Sequence, residues 1–268
     1  MVNVSNSEDV HFMIKHSLPN FFSGLSGIEL PIPKYQFPLE YRKTSRLTYY
    51  SSFFNTIEIN SSFYKIPMNR TVQRWASSVD ESFKFTFKLF KEITHVKDLD
   101  FDVADLERFI QVVQSIAGKK GCLLVQFPPS LKSINTGKLE NLLKHIQLYD
   151  PNHLWNVAVE FRNKSFYNQD VYELIEYYKS TIVIHDMPAS ATPLTNIDSN
   201  FIYVRFHGPT GNYRGSYTDA FLIEYSEYIT EWIREGKSVF VYFNNTAGGD
   251  AFANLSSLNK FVLNQFSH

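Results

Sequence analysis

Arg205 and His207 alternate with Val204 and Phe206, and glycines follow at 208, 211 and 215. Ile202, Val204 and Phe206 therefore share one face, and Tyr203, Arg205 and His207 the other, which is the period of a β-strand. The glycines allow backbone N–H groups of the following loop to come close to a ligand. A guanidinium and an imidazole delivered into such a loop suit recognition of an anion, with His207 available as acid, base or ligand.

Four more segments alternate in the same way. Ile57 and Ile59 oppose Glu58 and Asn60; Phe83, Phe85 and Phe87 oppose Lys84, Thr86 and Lys88; Val157, Val159 and Phe161 oppose Ala158, Glu160 and Arg162. In Ser238–Asn245, Val239, Val241 and Phe243 oppose Phe240, Tyr242 and Asn244. Gln126 ends a further apolar run. Buried parallel strands are usually apolar on both faces, so a charged second face demands a reason. Two reasons compete: a network of mutually neutralising charges, or a ligand site.

For a site, the predicted catalytic residues are Glu58, Glu160 and His207. The predicted ligand-binding residues are Asn60, Lys88, Gln126, Arg162, Arg205, Tyr213, Tyr217, Asn244 and Asn245. Arg205 and Arg162 would hold an anion, helped by Arg214 and the glycine-bearing loops Gly208–Ser216 and Asn244–Asp250. Glu58 and Glu160, kept ionised by nearby cations, suit a base or nucleophile. Glu58, Glu160, Asp186 and His207 could instead ligate a divalent metal, although no His-x-His, His-Glu-x-x-His or Cys-x-x-Cys spacing is present. Phe63, Tyr64, Tyr213 and Tyr217 could stack on a base or sugar. His95 is a further candidate for the same region, and His185 should face away from it if Asp186 faces in.

The elements that must position these residues alternate. Strands are expected at 20–27, 55–60, 82–89, 121–127, 156–162, 181–186, 202–207 and 238–245. Helices are expected at 41–53, 69–79, 102–116, 138–146, 169–179 and 218–235, and from about Asp250, with Asn69 and Asp102 as N-caps. Eight strands joined mostly by helices predict an α/β fold, a single (β/α)8 TIM barrel spanning residues 1–268, with residues 1–20 a lead-in and 190–198 an irregular linker. Its apolar strand faces meet the helices and its polar faces meet inside, near the C-terminal ends where TIM-barrel sites lie. No Gly-x-Gly-x-x-Gly follows the first strand, which argues against a doubly wound sheet.

Composition narrows the partners. The net charge is −1, which gives no overall attraction to nucleic acid or acidic membranes. The single Cys122 lies in an apolar run and reads as a buried thiol. No apolar run approaches membrane-spanning length, and the N-terminus has no basic or apolar leader signature, so a soluble cytoplasmic protein with a small-molecule ligand is expected. The alternatives are a metal-dependent phosphodiesterase acting on DNA and a non-catalytic binding protein.

The segments 57–64, 93–95, 126–129, 159–162, 203–208, 213–217 and 242–245 resemble, in order, motifs of the YecE-like family, domain of unknown function 72. The resemblance runs from about Phe22 to Phe261 and implies a TIM barrel, but no particular reaction. Members often carry a tryptophan soon after the first-strand glycines, where this chain has Gly27-Ile28-Glu29, and another after the Glu-x-Arg motif, where it reads Asn163-Lys164-Ser165-Phe166, so an aromatic wall of the site differs here.

Overall fold

The computed structural model describes residues 18–193 and 199–267. Most of the expected lead-in, and positions 194–198 of the expected linker, lie outside the described residues. The strands are β1 (Phe21–Leu25), β2 (Thr56–Ile59), β3 (Lys84–Lys88), β4 (Lys120–Gln126), β5 (Asn156–Glu160), β6 (Thr181–Ile182), β7 (Ile184–His185), β8 (Phe201–Phe206) and β9 (Ser238–Phe243). All pairings are parallel, in the orders β2-β3-β4-β5-β6 and β1-β9-β8-β7. Helices separate most of them, and the fold is a TIM barrel.

The expected sixth strand is broken at Val183, and this is how the two halves meet. Thr181 and Ile182 pair with Ala158 and Val159, whereas Ile184 and His185 pair with Val204 and Arg205. Thr192 explains the break. Its hydroxyl donates to Val183 O at 2.7 Å and accepts from His185 N at 3.3 Å, while its own N–H reaches His185 O at 3.1 Å.

At the opposite seam, between β1 and β2, side chains replace the ladder. Asn55 Oδ1 accepts from Ser23 N at 3.0 Å and its Nδ2 donates to Phe21 O at 2.8 Å. Tyr50 OH accepts from Leu25 N at 2.8 Å and donates to Thr56 O at 2.9 Å. The approach requires glycine at position 24, since a Cβ there would fall 2.1 Å from Thr56 O. Otherwise orphaned backbone groups are thus satisfied at the edge of each half.

Apolar burial follows the sequence alternation. Ile57, Ile59, Phe85, Phe87, Val157, Val159, Ile202, Val204, Phe206, Val239 and Val241 join the layer between strands and helices. Cys122, Leu124, Ala158, Val183, Phe201, Tyr203, Phe240 and Tyr242 fill the barrel. Each fully buried side chain of this size is worth about 1.5–3 kcal/mol in transfer free energy. Inside, Tyr242 OH bonds Thr56 Oγ1 at 2.7 Å and Thr86 Oγ1 at 2.6 Å, closing the floor beneath the charged layer.

Helix ends depart from expectation in places. Asp102 caps Val103–Val113 as predicted, accepting from Ala104 N at 2.9 Å. Asn69 is instead the first helical residue of Asn69–Ser77, because extended Met68 already supplies the carbonyl for Thr71 and Val72. The helix expected over 41–53 shrinks to Arg46–Tyr50, capped by Ser45, since Tyr41 to Thr44 turn back on Pro38 and Tyr41. Asp250 makes no side-chain cap on Ala251–Asn264. Among the described residues no helix is long and apolar enough to cross a membrane.

Candidate active site

The inward residues near the C-terminal ends of β2, β5 and β8 meet around Arg205, which is almost wholly buried. Arg205 Nε and Nη2 bond the two oxygens of Glu58 at 3.1 and 2.7 Å, a fork-to-fork pair. Its Nη1 reaches Glu160 Oε2 at 3.0 Å and His207 Nε2 at 3.2 Å. Tyr203 OH adds a bond to Glu58 Oε2 at 2.5 Å. Arg162, just beyond β5, places Nε in ion-pair contact with Glu160 Oε1, though neither atom has an aligned hydrogen bond, and gives Nη2 to His207 Nε2 at 2.9 Å.

The chain of contacts continues outward. His207 Nε2 faces two guanidinium donors, so its lone pair lies there and the proton sits on Nδ1, 3.2 Å from Asp186 Oδ1. Asp186 Oδ1 also accepts from His207 N at 2.8 Å, and Oδ2 receives the Tyr217 hydroxyl. Gly208 N donates to Tyr217 OH at 2.6 Å. Glycine is required at 208, where φ is 92° and a Cβ would lie 2.2 Å from Arg214 O.

This packing fixes the charge states. Burial alone would raise both carboxylates, but Arg205 holds Glu58 below its usual range, and Arg162 with Arg205 holds Glu160 well below. Burial would also lower Arg205; Glu58 and Glu160 reverse that, so it stays charged. His207 is pushed down to about 4 by burial, against the pull of Asp186 and Glu160, and is neutral at physiological pH. Burial raises Tyr217, and Asp186 raises it further.

The predicted residues divide on this geometry. Glu58, Glu160, Arg162, Arg205 and His207 converge as expected, and Asp186 joins them through His207. His185 turns away, with Nε2 bonding Phe161 O at 2.9 Å. Tyr217 and Asn245 were grouped with ligand-binding residues, but both are buried and hold the loop after β8. Asn245 Nδ2 bonds Gly215 O at 2.8 Å and Asn254 Oδ1 at 2.9 Å. Gln126 turns to its own loop, at 2.6 Å from Phe127 O, and Asn244, just beyond β9, is buried. Tyr213 is partly exposed, adopts the left-handed φ of 64° and sets its ring edge-to-face on His207, with centroids 5.7 Å apart.

Lys88, at the end of β3, is the exception to this saturation. Among the described residues no carboxylate lies within 4.0 Å of Nζ and no acceptor bonds it; Nζ instead stands 4.1 Å from the Phe63 ring centroid. Burial and the Arg205 and Arg162 charges, incompletely offset by Glu160 and Glu58, bring it down to about 8. His95 also packs edge-to-face with Phe63, centroids 4.8 Å apart. Partial burial, Lys88 and Arg162 push His95 down to about 4. Asn60 adds a buried Oδ1 with no protein partner.

One carboxyl escaped the sequence reading. Glu29, in the loop after β1, is half-buried and raised to about 7 by burial and by Asp250. Its Oε2 has no hydrogen-bond partner. No strand period marks it, and only the fold brings Asp250 beside it.

A divalent metal on Glu58, Glu160, Asp186 and His207 does not fit. Arg205 occupies both oxygens of Glu58 and one of Glu160, and both guanidinium groups face the imidazole lone pair. Among the described residues, no three His, Cys, Asp or Glu side chains are grouped to hold a metal ion.

Comparison with known proteins agrees with the fold. The family model for "Protein of unknown function DUF72" matches residues 30–267. The UPF0759 protein YunF of Bacillus subtilis (strain 168) is 31% identical over 251 residues, covering 81% of this chain and 86% of that protein. A crystal structure of a DUF72 family protein from Enterococcus faecalis V583 superposes with a TM-score of 0.72 at 22% identity, covering 90% of this chain and 95% of the other. A xylose isomerase-like TIM barrel protein from Mycobacterium smegmatis, solved in complex with magnesium, gives 0.51 at 12% identity over 91% and 95% of the two chains, a likeness of fold alone. With its ordered strand-end motifs and a match over residues 30–267, the chain belongs to the DUF72 family of proteins of unknown function.

Proposed function

We propose that the C-terminal mouth of the barrel binds and transforms a small molecule carrying a phosphate or carboxylate, or one rich in hydroxyls. Lys88 carries this reading. Among the described residues no carboxylate pairs with this inward-facing cation, and desolvation makes an anion there a strong partner. Arg162 lies on the same side of the cluster and adds to the field at His95. Asn60 Oδ1 offers a neutral acceptor for a hydroxyl.

The roles differ from those expected. Arg205 was to hold the anion, but its donors are already engaged by Glu58, Glu160 and His207. It is better suited to orient Glu160 and His207. Glu160 remains the candidate base, with Oε1 free of an aligned hydrogen bond. His207 supports it as a neutral positioning group rather than a proton donor.

The test is thermal unfolding with inorganic phosphate, sugar phosphates, divalent metals, chelator and short DNA. Stabilisation by the phosphate compounds alone supports the reading. Stabilisation that requires metal, or DNA alone, overturns it in favour of the phosphodiesterase alternative.

A further inference from the structure

Lys88 differs from the other barrel-strand lysines in what its nitrogen touches. Lys84 Nζ donates to Gly118 O at 3.0 Å and Lys120 Nζ to Ala117 O at 2.8 Å. Lys119, beside them, is buried and donates to Ala76 O and Val79 O at 2.7 and 2.9 Å, with Glu81 at 3.0 Å. Those bonds hold an ammonium and occupy the protons. Among the described residues Lys88 Nζ has no such acceptor, and the Phe63 face beside it cannot accept a full hydrogen bond. The Arg205 and Arg162 charges both act on it, Glu58 and Glu160 are turned to those guanidinium groups, and His95 packs against the same Phe63 ring.

The geometry points to Lys88 as a nucleophilic amine that forms an imine with a small aldehyde or ketone bearing a phosphate or carboxylate. This rests on the mouth being the ligand site and names the substrate class it would take. The Nζ lone pair attacks the carbonyl carbon. A C–N bond forms, and the C=O π pair moves to oxygen, which takes a proton. That oxygen takes a second proton and leaves as water as the C–O bond breaks, the nitrogen lone pair forms C=N, and both Nζ–H protons are released in balance, giving the neutral imine, so no oxidant or reductant is required. Neighbouring cations are an established way to activate a lysine, because they disfavour the ammonium. With Lys88 at about 8, roughly a tenth is neutral amine at pH 7, far more than for an ordinary lysine. Arg162, on the same side of the mouth, would hold the substrate's anionic group and orient its carbonyl.

The experiment uses pyridoxal 5′-phosphate, which carries both an aldehyde and a phosphate. The full chain is treated near neutral pH, reduced with borohydride, digested and mapped by mass spectrometry. The account expects an adduct on Lys88 at least about tenfold ahead of exposed Lys43 and Lys144, suppressed by inorganic phosphate. Lys88→Arg should lose that adduct yet keep the phosphate-dependent rise in melting temperature. If Lys88 labels no faster than the exposed lysines while phosphate still stabilises the protein, the amine chemistry is overturned and the anion site stands. If neither labelling nor stabilisation occurs, both fail. An adduct that survives in Lys88→Arg places the reaction elsewhere and also overturns the proposal.

Discussion

The Arg205 cluster and the Lys88 corner sit at the same end of one barrel, built from the same kinds of residue on opposite principles. Around Arg205 nearly every charge has a counter-charge and most acceptor atoms a donor, out through His207 and Asp186 to Tyr217. Around Lys88 the cation is half-buried with an aromatic face and two more cations for company. A saturated buried network holds its members still and leaves little for a ligand to gain. An unsaturated one keeps a free-energy deficit that a ligand can relieve. The contrast assigns Arg205 to scaffold and Lys88 to chemistry.

The largest effect should come from emptying the centre. Arg205→Met leaves Glu58 and Glu160 buried without their main counter-charge and should cost about 3–5 kcal/mol in denaturant unfolding. Lys88→Met at neutral pH should be neutral or slightly stabilising, since it removes an uncompensated cation. Equal losses for the two would erase the contrast.

Next is the pH dependence. His207 has a folded pKa of about 4 against a reference of 6.5, so the unfolded chain binds more protons between those values. Stability should therefore fall by about 3 kcal/mol as pH drops through that window. It should fall further in more acidic solution, as Glu58 and Glu160, both held low, are protonated. His207→Asn should flatten the first descent and leave the second, as read from unfolding midpoints across pH.

Tyr217→Phe removes the hydroxyl between Asp186 and Gly208 N and should cost about 1–3 kcal/mol without displacing Lys88. A loss of phosphate stabilisation in that variant would show that the two regions are coupled. The last effect sharpens the Lys88 side. Its folded pKa of about 8 lies below the unfolded value near 10.4, so wild-type stability should rise by up to about 3 kcal/mol from pH 8 towards 10. Lys88→Met should lose that rise.

Much of this was legible from alternation. Period-two patterning assigned Tyr203, Arg205 and Glu58 to the inner face, because one-residue slips are forbidden when the other face packs on helices. It could not say which charges pair. Arg205 and Lys88 are both inward cations in sequence, and only side-chain reach across the barrel gives Arg205 two carboxylates and Lys88 none. Loop residues carry no period, so Tyr217 looked like a stacking residue and Glu29 was not singled out. The break at Val183 was hidden because Thr192, nine residues on, supplies the competing hydrogen bonds.

The most direct test of the account is the melting temperature of wild type and Lys88→Met with and without inorganic phosphate. At a hundredfold the dissociation constant the wild type should gain about 5–10 °C, and Lys88→Met should gain nothing. An undiminished gain in Lys88→Met would contradict the account, because the anion would then be held by something other than the free cation at the end of β3.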